Sequence, residues 1–158
     1  MDPTDLQPIH HCDSTRIAAS PGEVYDVVSD ITRTGEWSVV CRSAEWADPE
    51  QTGLGAKFVG HNQTPHRVWS TTSTVVAAEP GEHFAWEVSR GYTRWGYRMS
   101  AVDGGTELVH EWAFLPAGQR FFERKYGADA QSEMEERTRS AHESIPRTLA
   151  AIKAILEG

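Results

Sequence analysis

His110 is the residue of this 158-residue sequence that is best suited to acid–base chemistry. Leu108, Trp112 and Phe114 alternate with it, so a β-strand would turn the imidazole towards the same interior face as these apolar side chains. An imidazole with an ordinary pKa of about 6.5 can exchange a proton near neutrality, and it can also hydrogen-bond a ligand hydroxyl or carbonyl. We expect Tyr97 to be its partner on a neighbouring strand. Three interpretations of His110 stay open: a packed core residue, a polar anchor for a ligand, or an acid–base catalyst.

Other combinations of reactive residues do not form sites. His10, His11 and Cys12 are consecutive, so a strand would point them to opposite faces, whereas a transition-metal site needs three or four converging ligands. Cys12 and Cys41 are too few for a disulfide framework, and we expect both to be reduced thiols. No nucleophile elbow accompanies the Ser-Thr run at residues 70–74. We therefore expect neither a metal nor another cofactor.

The charge of the chain limits its partners. Its net charge is −8, with 23 acidic and 15 basic residues, which opposes attraction to nucleic acids and to anionic lipid surfaces. No apolar stretch approaches the ~20 residues of a membrane helix, and the N-terminus lacks the pattern of a secretion signal. We expect a cytoplasmic protein without an integral membrane segment, either a monomer or a homodimer, that does not bind nucleic acid.

The elements that must position His110 form one domain, residues 1–158. A first strand at 10–19 leads to the sequence SPGE at residues 20–23, a capping box that predicts a short helix, and Asp30 predicts a second one ending near Gly35. Apolar residues then recur at every second position, which predicts six strands joined by short turns. With the first strand the sheet has about seven strands, and the short turns make it antiparallel. The expected spans are 40–47, 55–62, 67–78, 83–90, 93–102 and 106–115.

Residues 128–156 have the three- and four-residue apolar spacing of one long helix, with Met134, Ala141 and Ile145 on its apolar side. Pro146 lies inside this pattern, and we expect it to kink or break the helix because proline removes a backbone donor. A curved sheet with one apolar face needs a cover, and this is the longest helix available. The sequence therefore predicts an α+β fold in which the sheet wraps around the C-terminal helix.

Four segments make the chain resemble the helix-grip superfamily known as SRPBCC. This superfamily includes START lipid-transfer domains, birch-pollen-allergen-like proteins and polyketide cyclase/dehydrase-type proteins. The segments are SPGEVYDVVSDI at residues 20–31, GEWS at 35–38, EPGEHFAWEV at 79–88 and DGGTELV at 103–109. The resemblance covers about residues 14–156 and implies a helix-grip fold, often with a space between sheet and helix that side chains do not fill. It does not assign a function, because such families include carriers, receptors and enzymes.

Strand alternation then predicts which side chains line that internal cavity. In the strand at 67–78 two phases compete, and we prefer the one that turns Trp69 inward. Glu36 and Trp37 are expected at the cavity mouth. The alternative is that the aromatic residues simply fill the core. The predicted lining is Trp69, Phe84, Trp86, Val88, Trp95, Tyr97, Met99, Leu108, His110, Trp112, Phe114, Met134, Ala141 and Ile145.

The leading hypothesis is a carrier or sensor that binds a small hydrophobic ligand, lipid-like or polyketide-like, because the predicted lining is aromatic and offers little acid–base equipment. As the resemblance implies for some relatives, the alternative is a polyketide cyclase or dehydratase, with His110 as acid/base and Tyr97 as the orienting donor. A toxin or a protein-interaction module is a further alternative. The question of catalysis stays open at this point, and we favour the carrier.

Overall fold

The computed structural model of the protein describes residues 6–158, so residues 1–5 of the predicted domain lie outside the described part. Two short helices follow the first strand, six further strands follow those helices, and two helices end the chain. The elements are β1 (Ile9–Ile17), α1 (Pro21–Val28), a 3₁₀ helix (Ile31–Glu36), β2 (Cys41–Trp46), β3 (Lys57–Thr64), β4 (Arg67–Glu79), β5 (His83–Val88), β6 (Thr93–Val102), β7 (Gly105–Phe114), α2 (Pro116–Tyr126), a second 3₁₀ helix (Gly127–Asp129) and α3 (Ala130–Glu157).

The strands form one seven-stranded sheet in the order β1-β7-β6-β5-β4-β3-β2. Every neighbouring pair is antiparallel, and β1 and β2 are the two edges. The sheet is curved, and the helices cover its concave face. The predicted α+β helix-grip fold is therefore confirmed.

The chain leaves β1 through the predicted capping box. The backbone N–H of Glu23 donates to Ser20 Oγ at 3.2 Å, and the N–H of Ser20 donates to Glu23 Oε1 at 3.3 Å. Pro21 occupies the first turn, where a missing donor costs nothing. Asp30 accepts from the N–H of Thr32 and so caps the 3₁₀ helix. Both predicted helix starts are confirmed, and they bring the chain back over the sheet.

Helix α3 lies along edge strand β1 and its neighbour β7. Its side chains Ala141, Ile145 and Leu149 are buried against the sheet. The helix continues unbroken through Pro146, so the expected break is wrong, whereas the kink expected as the alternative stays a prediction. Pro146 is exposed, which lets water solvate the carbonyl that loses its donor. At the far end of α3 the side chains of Lys153 and Glu157 bond to backbone groups of Arg16 and Ala18, at the end of β1.

Helix α2 is absent from the sequence prediction. Its Gly118 packs so closely on the β5–β6 connection that an added Cβ would lie 2.3 Å from the carbonyl oxygen of Tyr92. The ring of Tyr92 stacks on Phe121, with centroids 4.6 Å apart. On its other side Phe122 meets Phe114 edge-to-face at 5.0 Å. Thus α2 holds the β5–β6 turn and the end of β7 together.

Candidate functional site

The concave face of the sheet carries a continuous group of aromatic rings. Strand register places Trp86 opposite Trp95 and Trp95 opposite Trp112, and in the next row it places Tyr97 opposite His110. The rings touch across strands: the centroids of Trp86 and Tyr97 are 5.9 Å apart, and those of Trp95 and Trp112 are 6.4 Å apart. Residues from three strands, β5, β6 and β7, therefore form one surface that faces the helices.

Half of this surface is sealed. Strands β6 and β7 and the beginning of β5 lie beneath α1 and α3, and most of their inward side chains are excluded from water. We call this the sealed half. The predicted lining residues buried in it are Phe84, Tyr97, Met99, Leu108, His110, Trp112 and Phe114, with Ala141 and Ile145 of α3 above them.

The other half of the concave face keeps partial contact with solvent. It extends from β2 through the end of β5 to the beginning of β6, without the buried Phe84 at the start of β5, and we call it the open half. The predicted lining residues there are Trp69, Trp86, Val88 and Trp95, all partly exposed. Strand register adds polar neighbours that the sequence analysis did not select, Asn62 and Thr71, with the Asn62 side-chain amide donating to the Thr71 hydroxyl at 3.3 Å.

The inward phase of β4 was the ambiguous one. The structure buries Ser73 and Val75, whereas Val68 is 77 % exposed. The phase that turns Trp69 inward is therefore correct. The guanidinium of Arg67 lies 3.8 Å from the centroid of Trp69, a cation–π contact at the outer end of the open half.

His110 is buried and held in one orientation. Its Nδ1 lies 2.9 Å from the carbonyl oxygen of Gly96. Because a carbonyl only accepts, Nδ1 carries the proton of the neutral ring, and Nε2 does not. Burial lowers the pKa of His110 to about 4, although the bond to Gly96 opposes this shift. At neutral pH the imidazole is therefore uncharged.

Tyr97 does neighbour His110, but the contact is between ring faces. The two centroids are 4.3 Å apart and the planes differ by 8°. Burial raises the pKa of the Tyr97 hydroxyl, and a hydrogen bond from Trp37 partly offsets this effect. The hydroxyl is thus anchored to Trp37 and stays protonated.

The two residues expected at the cavity mouth lie apart. Glu36 is on the surface, where Arg33 Nε and Nη2 donate to its carboxylate at 2.8 and 3.0 Å, and this pairing lowers the pKa of Glu36. Trp37 is only 4 % exposed and packs in the core against Tyr97. Trp37 is the residue at which the 3₁₀ helix ends, and there the chain turns so that the indole enters the core.

Two aromatic residues of the site were missed. Trp46 of β2 meets Phe58 of β3 edge-to-face at 5.7 Å, and Phe58 meets Trp86 at 6.0 Å. Together they extend the aromatic surface to the second sheet edge. Period-two alternation in β2 and β3 was the signal that could have found them.

A groove of about 460 Å³ lies on the other flank of α3, next to edge strand β1. Of the predicted lining residues it contains only Met134. We call it the flank groove, and it is separate from the open half because none of its lining comes from β2–β6. Its lining is Ile9, Gln119, Gln131, Met134, Glu135, Thr138, Arg139 and His142.

Between residues 6 and 158, no cluster of three or more His, Cys, Asp or Glu side chains is arranged to hold a metal ion. None of the helices in that range combines the length and apolarity that a bilayer crossing requires.

Comparison with known proteins gives a family match over most of the chain. A family model described as polyketide cyclase / dehydrase and lipid transport matches residues 10–143. The solution structure of the Polyketide_cyc-like protein Cgl2372 from Corynebacterium glutamicum is 46 % identical, covers 96 % of this chain and 93 % of that one, and superimposes with a TM-score of 0.72. No curated protein matches in sequence.

Two more distant structures share the fold alone. The Zhui aromatase/cyclase from Streptomyces sp. R1128 is 15 % identical, with a TM-score of 0.71 and coverage of 96 % of this chain and 94 % of that one. The di-domain ARO/CYC StfQ of the steffimycin biosynthetic pathway is 13 % identical, with a TM-score of 0.72, and the match spans 95 % of this chain and 51 % of that one.

Proposed function

Because the chain belongs to the polyketide cyclase/dehydrase and lipid transport family, we propose that it binds a small hydrophobic ligand on the part of its concave sheet that α3 leaves open, as a carrier or sensor. The observation that carries this proposal is the partial exposure of Trp86 and Trp95. Contact of large aromatic side chains with water is unfavourable, and an apolar ligand that covers them on a concave surface removes this cost. The ligand therefore lies on the open half.

The chemistry of the open half suits an apolar ligand with few polar groups. Trp86 and Trp95 offer ring faces, and each indole has one N–H donor. Asn62 and Thr71 form the polar part of this surface and can exchange hydrogen bonds with a ligand hydroxyl or carbonyl. Small-molecule sites combine apolar walls with a few such groups, which orient the ligand.

The state of His110 favours a carrier over a cyclase or dehydratase. A general acid needs a free proton to donate near neutral pH, and a pKa of about 4 leaves Nε2 of His110 without one. Nδ1 is already bonded to Gly96. Tyr97, the expected orienting donor, keeps its proton and is bonded to Trp37. His110 and Tyr97 thus act in our proposal as packed residues of the sealed half, beside the ligand site.

Titration with a neutral, environment-sensitive fluorophore such as Nile red tests the proposal. Val88→Trp places a bulky ring inside the open half, and we expect at least about tenfold weaker binding, with about 1–3 kcal/mol lost to overpacking. Trp95→Ala removes part of the surface and should weaken binding as well. Val68→Ala is the matched control, since Val68 is exposed on the opposite face of β4.

Comparison of Val88→Trp with the control Val68→Ala decides whether the ligand occupies the open half. Val68→Ala should bind the fluorophore as the parent does. If a folded Val88→Trp variant binds it equally well, the ligand does not occupy the open half. Native mass spectrometry of the parent and of both variants should show whether a molecule that co-purifies with the parent is retained by Val68→Ala and lost from Val88→Trp.

A further inference from the structure

The flank groove has the size and composition of a second ligand site. Its volume, about 460 Å³, falls within the ~300–1,000 Å³ typical of small-molecule pockets. Met134, Thr138 and His142 recur every four residues and form one row along α3, with Ile9 of β1 facing them. Gln131, Glu135 and Arg139 form the neighbouring row at the rim.

The apolar floor of this groove suits a flexible alkyl chain. Met134 has an unbranched, polarisable side chain that adapts its shape to irregular apolar neighbours. Ile9 and the methyl group of Thr138 complete the floor. Among residues 6–158, no Phe, Tyr or Trp ring lines the groove, in contrast to the open half, so the groove offers contact area without a large ring for stacking.

The rim supplies one uncompensated cation. Arg139 could pair with Glu135 one turn earlier, but Glu135 Oε1 accepts from Gln131 Nε2 at 3.0 Å instead. Among residues 6–158, Arg139 has no ion-pair partner. Its planar guanidinium fits a carboxylate through two parallel hydrogen bonds. The ring of His142 is held beside it by stacking on His11, with centroids 3.6 Å apart.

We propose that the flank groove binds a single-chain aliphatic carboxylate, with the alkyl chain on Ile9 and Met134 and the head group at Arg139. This site is separate from the ligand site of the open half. It requires no change in the sheet, because the groove is already present between β1, α2 and α3.

Titration of the full-length, isotope-labelled protein with decanoate, followed by NMR near neutral pH, tests this site. We expect the largest shifts at the Ile9, Met134 and Thr138 methyl groups and little change at the Trp86 and Trp95 indoles. Decan-1-ol has the same chain without the charge and should bind about fivefold more weakly or worse. Decanoate shifts that centre on the two indoles would overturn the proposal.

Variants of α3 separate the head-group contact from general charge effects. Arg139→Gln should weaken decanoate binding about fivefold or more, whereas Arg147→Gln, an exposed position of the same helix outside the groove, should change it less than twofold. Thr138→Trp fills the groove and should abolish binding. Equal effects of the two arginine variants, or equal affinity for decan-1-ol, would refute recognition of the carboxylate. Binding that appears only after residues 1–5 are deleted would identify the chain's own N-terminal segment as the occupant, and would also refute it.

Discussion

The neutral state of His110 makes the stability of the protein depend on pH in a defined window. The pKa of the folded state, about 4, lies below the ordinary value of 6.5. Between these values the unfolded chain binds a proton that the folded protein rejects, so acid favours unfolding. The contribution of His110 is fully present above pH 6.5 and is lost as the pH falls towards 4. A shift of this size corresponds to about 3 kcal/mol.

Urea denaturation of the parent and of His110→Gln at several pH values measures this contribution. Glutamine does not titrate, and its amide can still donate to the Gly96 carbonyl. The pKa values of His11 and His83 are also lowered by burial, but both residues remain in the two proteins and cancel in the difference. We expect the stability advantage of the parent over His110→Gln to shrink by about 3 kcal/mol from neutral pH to pH 4.

A constant difference between the two proteins across this range would refute the reasoning. It would mean that His110 titrates normally in the fold, and the acid–base interpretation would regain support. In that case His110→Gln should cost the roughly 10²- to 10⁴-fold in turnover that general acid–base catalysis contributes. In a carrier the same change should alter ligand affinity by no more than about 1.5 kcal/mol, the value of one hydrogen bond.

Two further predictions concern the helices. Ile145→Ala, at a fully buried position of α3, should lower the free energy of unfolding by about 2–5 kcal/mol, and a loss below about 0.5 kcal/mol would show that α3 docks in another orientation. Gly118→Ala should displace α2, because the new Cβ would lie 2.3 Å from the Tyr92 carbonyl oxygen. Amide hydrogen exchange in α2 should therefore become faster. The control Gly53→Ala, at a position with open space around it, should leave exchange unchanged.

Local pattern was enough to predict the strand faces and the helix starts. Alternate side chains of a β-strand lie on the same face, and this holds independently of the rest of the chain. For that reason the sequence predicts correctly that Trp69 and Trp86 face the concave side. The capping box at Ser20 depends on only four consecutive residues. Helix α2 could not be predicted in this way, because Pro116 and Gly118 in its first turn are residue types typical of loops.

The division into a sealed and an open half could not be predicted in this way. It depends on where α3 lies across the sheet, and α3 packs mainly against β1, which lies at the other end of the sequence. Trp112 and Trp95 face the same side on neighbouring strands, yet only Trp112 is fully covered. The flank groove has the same origin, since His11 and His142 meet only after the helix has docked.

The bonds from Lys153 and Glu157 to the end of β1 affect the behaviour of the protein at high concentration. An edge strand exposes unpaired backbone groups that can recruit a strand of another molecule and start aggregation. Here two such groups, the carbonyl of Arg16 and the amide of Ala18, are occupied by side chains of the last helical turns. The opposite edge, β2, is short and its register is interrupted between Cys41 and Ser43. Loss of the C-terminal turn should therefore promote fibrillar association before it reduces the stability of the core.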